Sequence, residues 1–351
     1  MRSRRGSYRV AIVGAPSLLG KEVAAVLEER QFPVSRLLRV AGDEDEPELP
    51  ILDLQGDVES ASGDEDLRSG DVDFVFLAAR LRELPSFLQT LKKNGRPGCA
   101  AIHLVECQET AKGKVAPPSI PFLDGRPARR GGAGAATQIV SAHPATIVLS
   151  TLLLRLAARF PVRSAVAQVF SPASEMGSRA IEELQKQTVN LLSFQKIPQA
   201  VFGGQLAFNV LPRLGRGGHG GLADLEAQVR RQLAEYLKKR APVPALHVVQ
   251  IPVFYALACS LYVETAEIVT PAEAAAALAG ARVRLSRPTE DPPTQVDAAG
   301  SSDILVDAVT PDPAHPKGIW IWAAADNIRL AAVNAVEIAE SLGADAASLV
   351  E

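Results

Sequence analysis

Cysteine is scarce in this chain: three residues in 351, Cys99, Cys107 and Cys259. An odd number at wide spacings builds neither a disulfide framework nor a zinc-chelating set, so no metal site is expected and a reducing, cytoplasmic setting is. Long apolar runs are missing as well, since no uncharged stretch reaches the roughly 18 residues that a bilayer demands. An excess of positive charge is also absent. The formal net charge is −3, which argues against a nucleic-acid partner, because phosphate recognition needs a basic surface. The basic start Met1-Arg-Ser-Arg-Arg leads into strand-like Tyr8-Arg-Val-Ala-Ile-Val-Gly and lacks the apolar core and cleavage site of a signal peptide. No internal repeat is found. What is present is the balance of a soluble globular protein, 47% hydrophobic and 22% charged. At roughly 100–200 residues per domain, the length predicts about two domains.

The pattern along the chain divides in the same way. Val10-Ala-Ile-Val-Gly reads as a strand, Lys21 to Arg30 as a helix, and Arg36 to Ala41 and Val72 to Ala79 as further strands. Strands that alternate with helices through about residue 140 imply a parallel sheet covered on both faces. Gly131 to Ala136 marks a seam. Beyond it, Thr146 to Phe160 reads as an apolar helix. Ala165 to Phe170, His247 to Val253 and Ala258 to Thr265 read as strands, separated by polar helices near 178–194 and 222–240. An alanine-rich helix follows from Pro271. The last helix, Asn327 to Leu342, is long enough to return to the first domain. The expected domains are residues 1–140 with 326–351, of Rossmann type, and 141–325, an α+β unit.

The turn Gly14-Ala15-Pro16-Ser17-Leu18-Leu19-Gly20 lies between strand and helix, where glycines let a backbone approach a pyrophosphate at a helix N-terminus. Two features work against binding. Ser17 stands where a glycine would leave room for phosphate, and Pro16 removes an N–H donor. Gly42-Asp-Glu-Asp-Glu follows the second strand. A carboxylate there could hold a ribose hydroxyl but would repel a 2′-phosphate, so NADP is disfavoured and NAD stays open. A solvated charged loop is the alternative. Arg213-Leu-Gly-Arg-Gly-Gly-His-Gly-Gly reads either as an anion-gripping loop or as a mobile connection.

Val13-Gly-Ala with Gly20-Lys-Glu-Val, Phe32-Pro-Val, Leu206-Ala-Phe-Asn-Val-Leu-Pro, Ile251-Pro-Val-Phe, Tyr262-Val-Glu-Thr and Ala325-Asp-Asn-Ile-Arg occur in order along nearly the whole chain. They resemble the corresponding stretches of aspartate-β-semialdehyde dehydrogenases, and within that family the Usg-like paralogues that lack the catalytic cysteine. The resemblance implies an α/β fold with a Rossmann-type nucleotide-binding domain and an α+β substrate and dimerisation domain, hence a homodimer. It also implies a place in amino-acid biosynthesis.

Position by position, the resemblance implies a catalytic set that this chain has lost. The family's nucleophilic cysteine lies in an Asn-Pro-Asn-Cys-Ser-Thr turn, where a helix dipole favours the thiolate. The matching stretch is Ser141-Ala-His-Pro-Ala-Thr146, which puts Pro144 in the nucleophile's place. His143 is then either a substitute nucleophile or base, or a helix-capping or surface imidazole. The family's glutamine, in Thr-Tyr-Gln-Ala-x-Ser-Gly, falls on Ser171 of Val169-Phe-Ser-Pro-Ala-Ser-Glu. Its carboxylate-clamping arginine falls on Gln250, which loses the bidentate charge. Its general acid/base histidine falls on Leu257, which has no proton to move. Near the position of the phosphate-binding arginine stands Glu109. Cys259 lies on the same predicted strand face as Leu257 and Cys107 lies near the vacated phosphate site. Each is a rescuing thiol or a buried apolar residue. Asn209 resembles a family position of the substrate domain. Asn327 resembles one at the nicotinamide end of the cofactor and equally reads as a helix cap.

The expectation is a pseudoenzyme with degenerate positions Pro144, Ser171, Gln250 and Leu257 and no catalytic residue. A nucleotide-contacting set remains, formed by Gly14, Ala15, Ser17, Leu18, Leu19, Gly20 and Asn327. Its role is binding, regulation or scaffolding, with an active homologue or another protein as partner. The alternative is an active NAD-dependent oxidoreductase with a changed substrate.

Overall fold

Strand β1 (Tyr8–Val13) is completely buried over its last four residues, because parallel strands flank it and side chains cover both its faces. The computed structural model describes residues 7–41, 71–79, 89, 91, 99–105, 117–124, 137–215, 221–287 and 289–348. The acidic stretch after residue 42, Cys107, Glu109, the seam at 131–136 and residues 216–220 lie outside the described residues. Two compact units form, Met1–Ala142 with Ala331–Glu351, and His143–Leu330. Ser141 and Ala142 thus fall in the first unit and Asp326 to Leu330 in the second, where the sequence expectation had them reversed.

In the first unit, β1 is joined by β2 (Val34–Val40), β3 (Phe74–Leu77), β4 (Ala100–His103), β5 (Pro118–Ser119) and β6 (Thr137–Ser141). They form one parallel sheet of order β2-β1-β3-β4-β6-β5. Val10, Ile12, Phe74, Phe76 and Ile102 turn to one side. They meet Val23, Val26 and Leu27 of helix α1 (Leu18–Glu29) and Ala332, Val336 and Ala339 of the C-terminal helix (Asn327–Ser348). Ala11, Val13, Val75, Leu77 and Ala101 form a separate core on the other side. The turn into α1 is built by packing. Gly14 has φ +78°, and a Cβ on it would overlap Ala79, while a Cβ on Gly20 would overlap the Gly14 carbonyl. Ser17 caps α1, its Oγ accepting from Gly20 N–H at 3.0 Å.

The second unit is a mixed sheet. Its strands are β7 (Val162–Ser171), β8 (Ala245–Gln250), β9 (Leu257–Thr265), β10 (Val283–Leu285), β11 (Ile304–Val306), β12 (Thr310–Pro311) and β13 (Gly318–Ala325), in the order β10-β11-β13-β9-β7-β8 with β12 beside β13. Helix α2 (Pro144–Ala157) crosses β7, β9 and β13. After it come α3 (Ser178–Leu192), α4 (Leu222–Leu237), which lies along β8, and α5 (Pro271–Leu278), which rests on α2. Alternation along the strands separates two faces. Ala167, Leu261, Val263, Ile319 and Ile321 are buried, whereas Val166 is 51% and Trp320 43% exposed on the opposite side.

Some local readings change. The strand expected over 247–253 ends at Gln250, where Pro252 offers no N–H to a ladder. β13, a direct neighbour of β9, was not anticipated. Its outward positions are Trp320 and Trp322, so Gly-Ile-Trp-Ile-Trp-Ala-Ala-Ala carries no polar alternation. The C-terminal helix runs to Ser348 and is capped by Asp326, not Asn327. Asp326 Oδ1 accepts from Ile328 and Arg329 N–H, both at 2.9 Å.

Candidate functional site

The N-terminus of α2 sets the geometry. Pro144 occupies the first helical position, where its missing N–H costs nothing, and His143 before it is the cap. The His143 imidazole is buried. Its Nδ1 accepts from Ala145 N–H at 3.1 Å, which places the ring proton on Nε2, and that proton is donated to Glu175 Oε1 at 2.8 Å. The reading of His143 as a helix cap therefore holds, while its reading as a surface group does not. Both ring nitrogens are engaged, so the imidazole is not free to act as a base. Gln232 on α4 fixes the same turn, its Oε1 accepting from His143 N–H at 2.8 Å and from Thr146 Oγ1 at 2.9 Å.

Glu175 lies in a short 3-10 turn (Ala173–Met176) beyond β7. Its second oxygen accepts from Asn327 Nδ2 at 3.2 Å, and Asn327 Oδ1 in turn accepts from Ser174 Oγ at 3.0 Å. Burial pushes the Glu175 carboxyl up. The His143 ring and the hydrogen bonds from His143 and Asn327 outweigh that push and hold it below the usual carboxylate range. Six residues, His143, Thr146, Ser174, Glu175, Gln232 and Asn327, from the start of α2, the 3-10 turn, α4 and the start of the C-terminal helix thus form one connected polar cluster.

Ser171 and Gln250 meet at the ends of β7 and β8, where they are paired in register. Gln250 Nε2 donates to the Ser171 carbonyl at 2.9 Å. Both side chains are buried, and among the described residues Ser171 Oγ and Gln250 Oε1 have no hydrogen-bond partner. No cation stands at either position. Leu257 opens β9 opposite Ala325 and is buried. Cys259 shares its face, as expected, but that face is core, and burial pushes the thiol up to about 12. A thiolate is therefore unavailable, which removes Cys259 as a rescuing nucleophile. Phe254 and Tyr255, close to Leu257 in sequence, are 39% and 41% exposed. Asn209 is used locally, bonding Gln205 O at 3.1 Å and Val210 N–H at 2.9 Å.

The nucleotide-contacting set divides. In the Gly14 turn, the N–H groups of Gly14 and Ala15 go to Val40 O, that of Ser17 to Gly14 O and that of Gly20 to Ser17 Oγ. Leu18 and Leu19 keep N–H groups without a partner among the described residues, enough to meet one anionic oxygen group at the helix N-terminus. At Asn327 both ends of the side-chain amide are taken within the chain and the residue is 2% exposed. The residues therefore fit a diphosphate in part and do not fit a nicotinamide amide at Asn327. No hydride-transfer step is derived. Among the described residues there is no cluster of metal-ligating side chains, and no helix is long and apolar enough to cross a membrane.

Glu175, Ser174 and Gln232 were not singled out from sequence. A signal existed for Glu175, which stands at the glycine of the family's Thr-Tyr-Gln-Ala-x-Ser-Gly turn. Gln232, on a helix remote in sequence, had none.

A parallel sheet with a glycine turn after its first strand, followed by a mixed sheet bearing this polar cluster, defines a two-unit protein built like a dehydrogenase. The semialdehyde dehydrogenase dimerisation-domain family matches residues 153–330, and the chain belongs to that family. It is 27% identical over 346 residues to an aspartate-semialdehyde dehydrogenase of Aquifex aeolicus, covering 95% of this chain and 98% of that one. It is 29% identical over 341 residues to a USG-1 protein homolog of Pseudomonas aeruginosa, covering 95% and 97%. A solved structure described as a probable aspartate-semialdehyde dehydrogenase from Pseudomonas aeruginosa superposes with a TM-score of 0.78 at 27% identity, over 96% of this chain and 98% of that one.

Proposed function

We propose that this chain is a non-catalytic member of the aspartate-semialdehyde-dehydrogenase-like family, a homodimer that acts by binding, as a regulatory or scaffold subunit. The observation that carries the reading is the His143–Glu175 bond of 2.8 Å, continued to Asn327. Beside it, Pro144 offers no nucleophilic atom, Ser171 and Gln250 offer no charge to clamp a carboxylate, and Leu257 offers no proton. Where such groups act as a unit, losing one member already costs several orders of magnitude in rate. The open outward face of the second sheet, with Val166 and Trp320, supports pairing through the dimerisation domain.

The test is an assay of purified protein for phosphate-dependent oxidation of aspartate semialdehyde with NAD and with NADP. The expected result is no turnover above a protein-free control, and measurable turnover with either cofactor overturns the reading. The second reading, an NAD-dependent oxidoreductase with a changed substrate, draws support from the Leu18 and Leu19 N–H groups. Calorimetric titration with NAD decides it, since no heat of binding removes every hydride-transfer role.

A further inference from the structure

Two side-chain oxygens are left over at the carboxyl ends of the parallel pair β7 and β8, the end of a parallel pair where ligands bind in open α/β sheets. They belong to Ser171 and Gln250, which are neighbours in register and are 2% and 0% exposed. The main chain around them is paired. Gln250 N–H and its carbonyl both bond Leu211 at 2.9 Å, and the Ser171 carbonyl accepts from Ile251 N–H at 3.0 Å. What lacks a partner among the described residues is Ser171 Oγ and Gln250 Oε1.

The orientation of the amide is decided by its other end. Gln250 Nε2 donates to the Ser171 carbonyl at 2.9 Å and to the Ile251 carbonyl at 3.5 Å. Turning the amide over would set its oxygen against both carbonyls, so the unpaired atom is the acceptor Oε1. Ser171 Oγ belongs to the residue whose carbonyl holds Nε2, and a hydroxyl can donate or accept. A buried polar atom without a partner costs free energy, and two on adjacent residues point to one group that satisfies both.

The backbone that follows is strained. Ala256 has φ 68° and is completely buried, a left-handed conformation that costs an L residue energy and that collects at ligand clamps. The segment leading to it runs beside the continuation of β7, because Val253 O accepts from Ala173 N–H at 2.8 Å and Phe254 O from Ser174 N–H at 2.9 Å. The strained turn and the two unpaired oxygens thus lie at one end of the sheet.

These atoms select their ligand. Gln250 Oε1 only accepts, so it requires an N–H or O–H, and the Ser171 hydroxyl beside it supplies a donor. Neither side chain carries charge, so a carboxylate or an ammonium would be buried here without a counter-ion. A primary carboxamide meets both atoms at once, its N–H donating to Gln250 Oε1 and its carbonyl accepting from Ser171 Oγ–H, with no charge to desolvate. We propose that Ser171 and Gln250 form a binding site for a neutral primary carboxamide. The proposal rests on the non-catalytic binding role put forward above and names the ligand class of that site.

The test is a saturation-transfer NMR titration of the full chain with propionamide and with propionate, which share a shape and differ in charge. Wild type, Ser171→Ala and Gln250→Met are compared, with circular dichroism on each. Both changes remove an atom that lacks a partner, so folding should be kept. The expected result is that propionamide binds the wild type at least about tenfold more tightly than propionate does, and that each variant weakens propionamide about tenfold, as loss of one buried hydrogen bond produces. No binding of propionamide, equal binding of propionate, or wild-type affinity in either variant overturns the proposal. Aspartate-semialdehyde turnover is measured on the same preparation. No turnover without amide selectivity removes the carboxamide site and leaves the non-catalytic reading, turnover with selectivity removes that reading alone, and turnover without selectivity removes both.

Discussion

His143 and Glu175, separated by 32 positions, meet at 2.8 Å beside Pro144. In the family turns that these stretches resemble, asparagine and glycine stand at the two positions. The imidazole and the carboxylate therefore replace them as a matched pair, each satisfying the other's burial.

The pair bears on attempts to restore activity. Pro144→Cys puts a thiol at the start of α2, where the helix dipole favours a thiolate. The bonded imidazole and carboxylate remain next to it, and Ser171, Gln250 and Leu257 still supply no clamp or proton carrier. Pro144→Cys is expected to give no phosphate-dependent reduction of NAD or NADP by aspartate semialdehyde above wild type, followed at 340 nm. Turnover from this one change would mean that the surrounding site is intact.

The same pair gives a pH dependence whose sign follows from Glu175. Its carboxyl is held low in the folded state, so its stabilisation is complete above the ordinary carboxylate range and is lost as the pH falls through the folded-state value. The difference in urea-unfolding free energy between wild type and Glu175→Gln should therefore be larger near neutral pH and shrink toward strong acid. Glu175→Ala leaves the His143 Nε2 and Asn327 Nδ2 donors unpaired and is expected to cost about 1–3 kcal/mol at pH 7. A difference that grows as the pH drops would contradict the assignment.

Gln250 separates the cost of a buried amide from the cost of a buried charge. Gln250→Met removes an acceptor that lacks a partner together with the Nε2 donor to the Ser171 carbonyl, which still accepts from Ile251 N–H at 3.0 Å, and should change stability by less than about 1.5 kcal/mol. Gln250→Arg restores the family's charge in a buried position whose hydrogen-bond partners among the described residues are the Ser171 and Ile251 carbonyls, and should destabilise by about 3 kcal/mol or more. Thermal unfolding of the two variants against wild type measures the contrast. Equal stability of Gln250→Arg and wild type would show that a counter-charge or water reaches the position.

Gly14 tests whether the glycine turn serves the fold or a ligand. Gly14→Ala faces both a positive φ and the overlap with Ala79. A loss of about 2 kcal/mol or more is expected from strain and overpacking, in the absence of any nucleotide. Ser17→Ala should cost about 1 kcal/mol by removing the α1 cap. Both are read by urea unfolding. If Gly14→Ala were neutral to stability and affected only NAD binding, the turn would be a ligand feature.

Much of the fold was legible because local physics writes it into the chain. β1, α1, β7, β9, α3 and the C-terminal helix each follow a burial period or an unbroken apolar run, bounded by proline, glycine or a cap. β13 escaped because tryptophans occupy its open face, so both faces look apolar. The cap of the C-terminal helix is Asp326 and not its neighbour Asn327; both are good caps, and backbone geometry alone chooses between them.

What the sequence determined by itself was the doubly covered parallel sheet, the α+β character of the second unit and the chemical poverty of Pro144, Ser171, Gln250 and Leu257. These are statements about periodicity and about which atoms a side chain owns. Only the tertiary structure decided that Cys259 is a core thiol, that both nitrogens of His143 are spoken for, and that Asn327 is closed off by Ser174 and Glu175. Those facts depend on hydrogen bonds between residues far apart in the chain, and no local pattern encodes which distant partner a buried polar group will find.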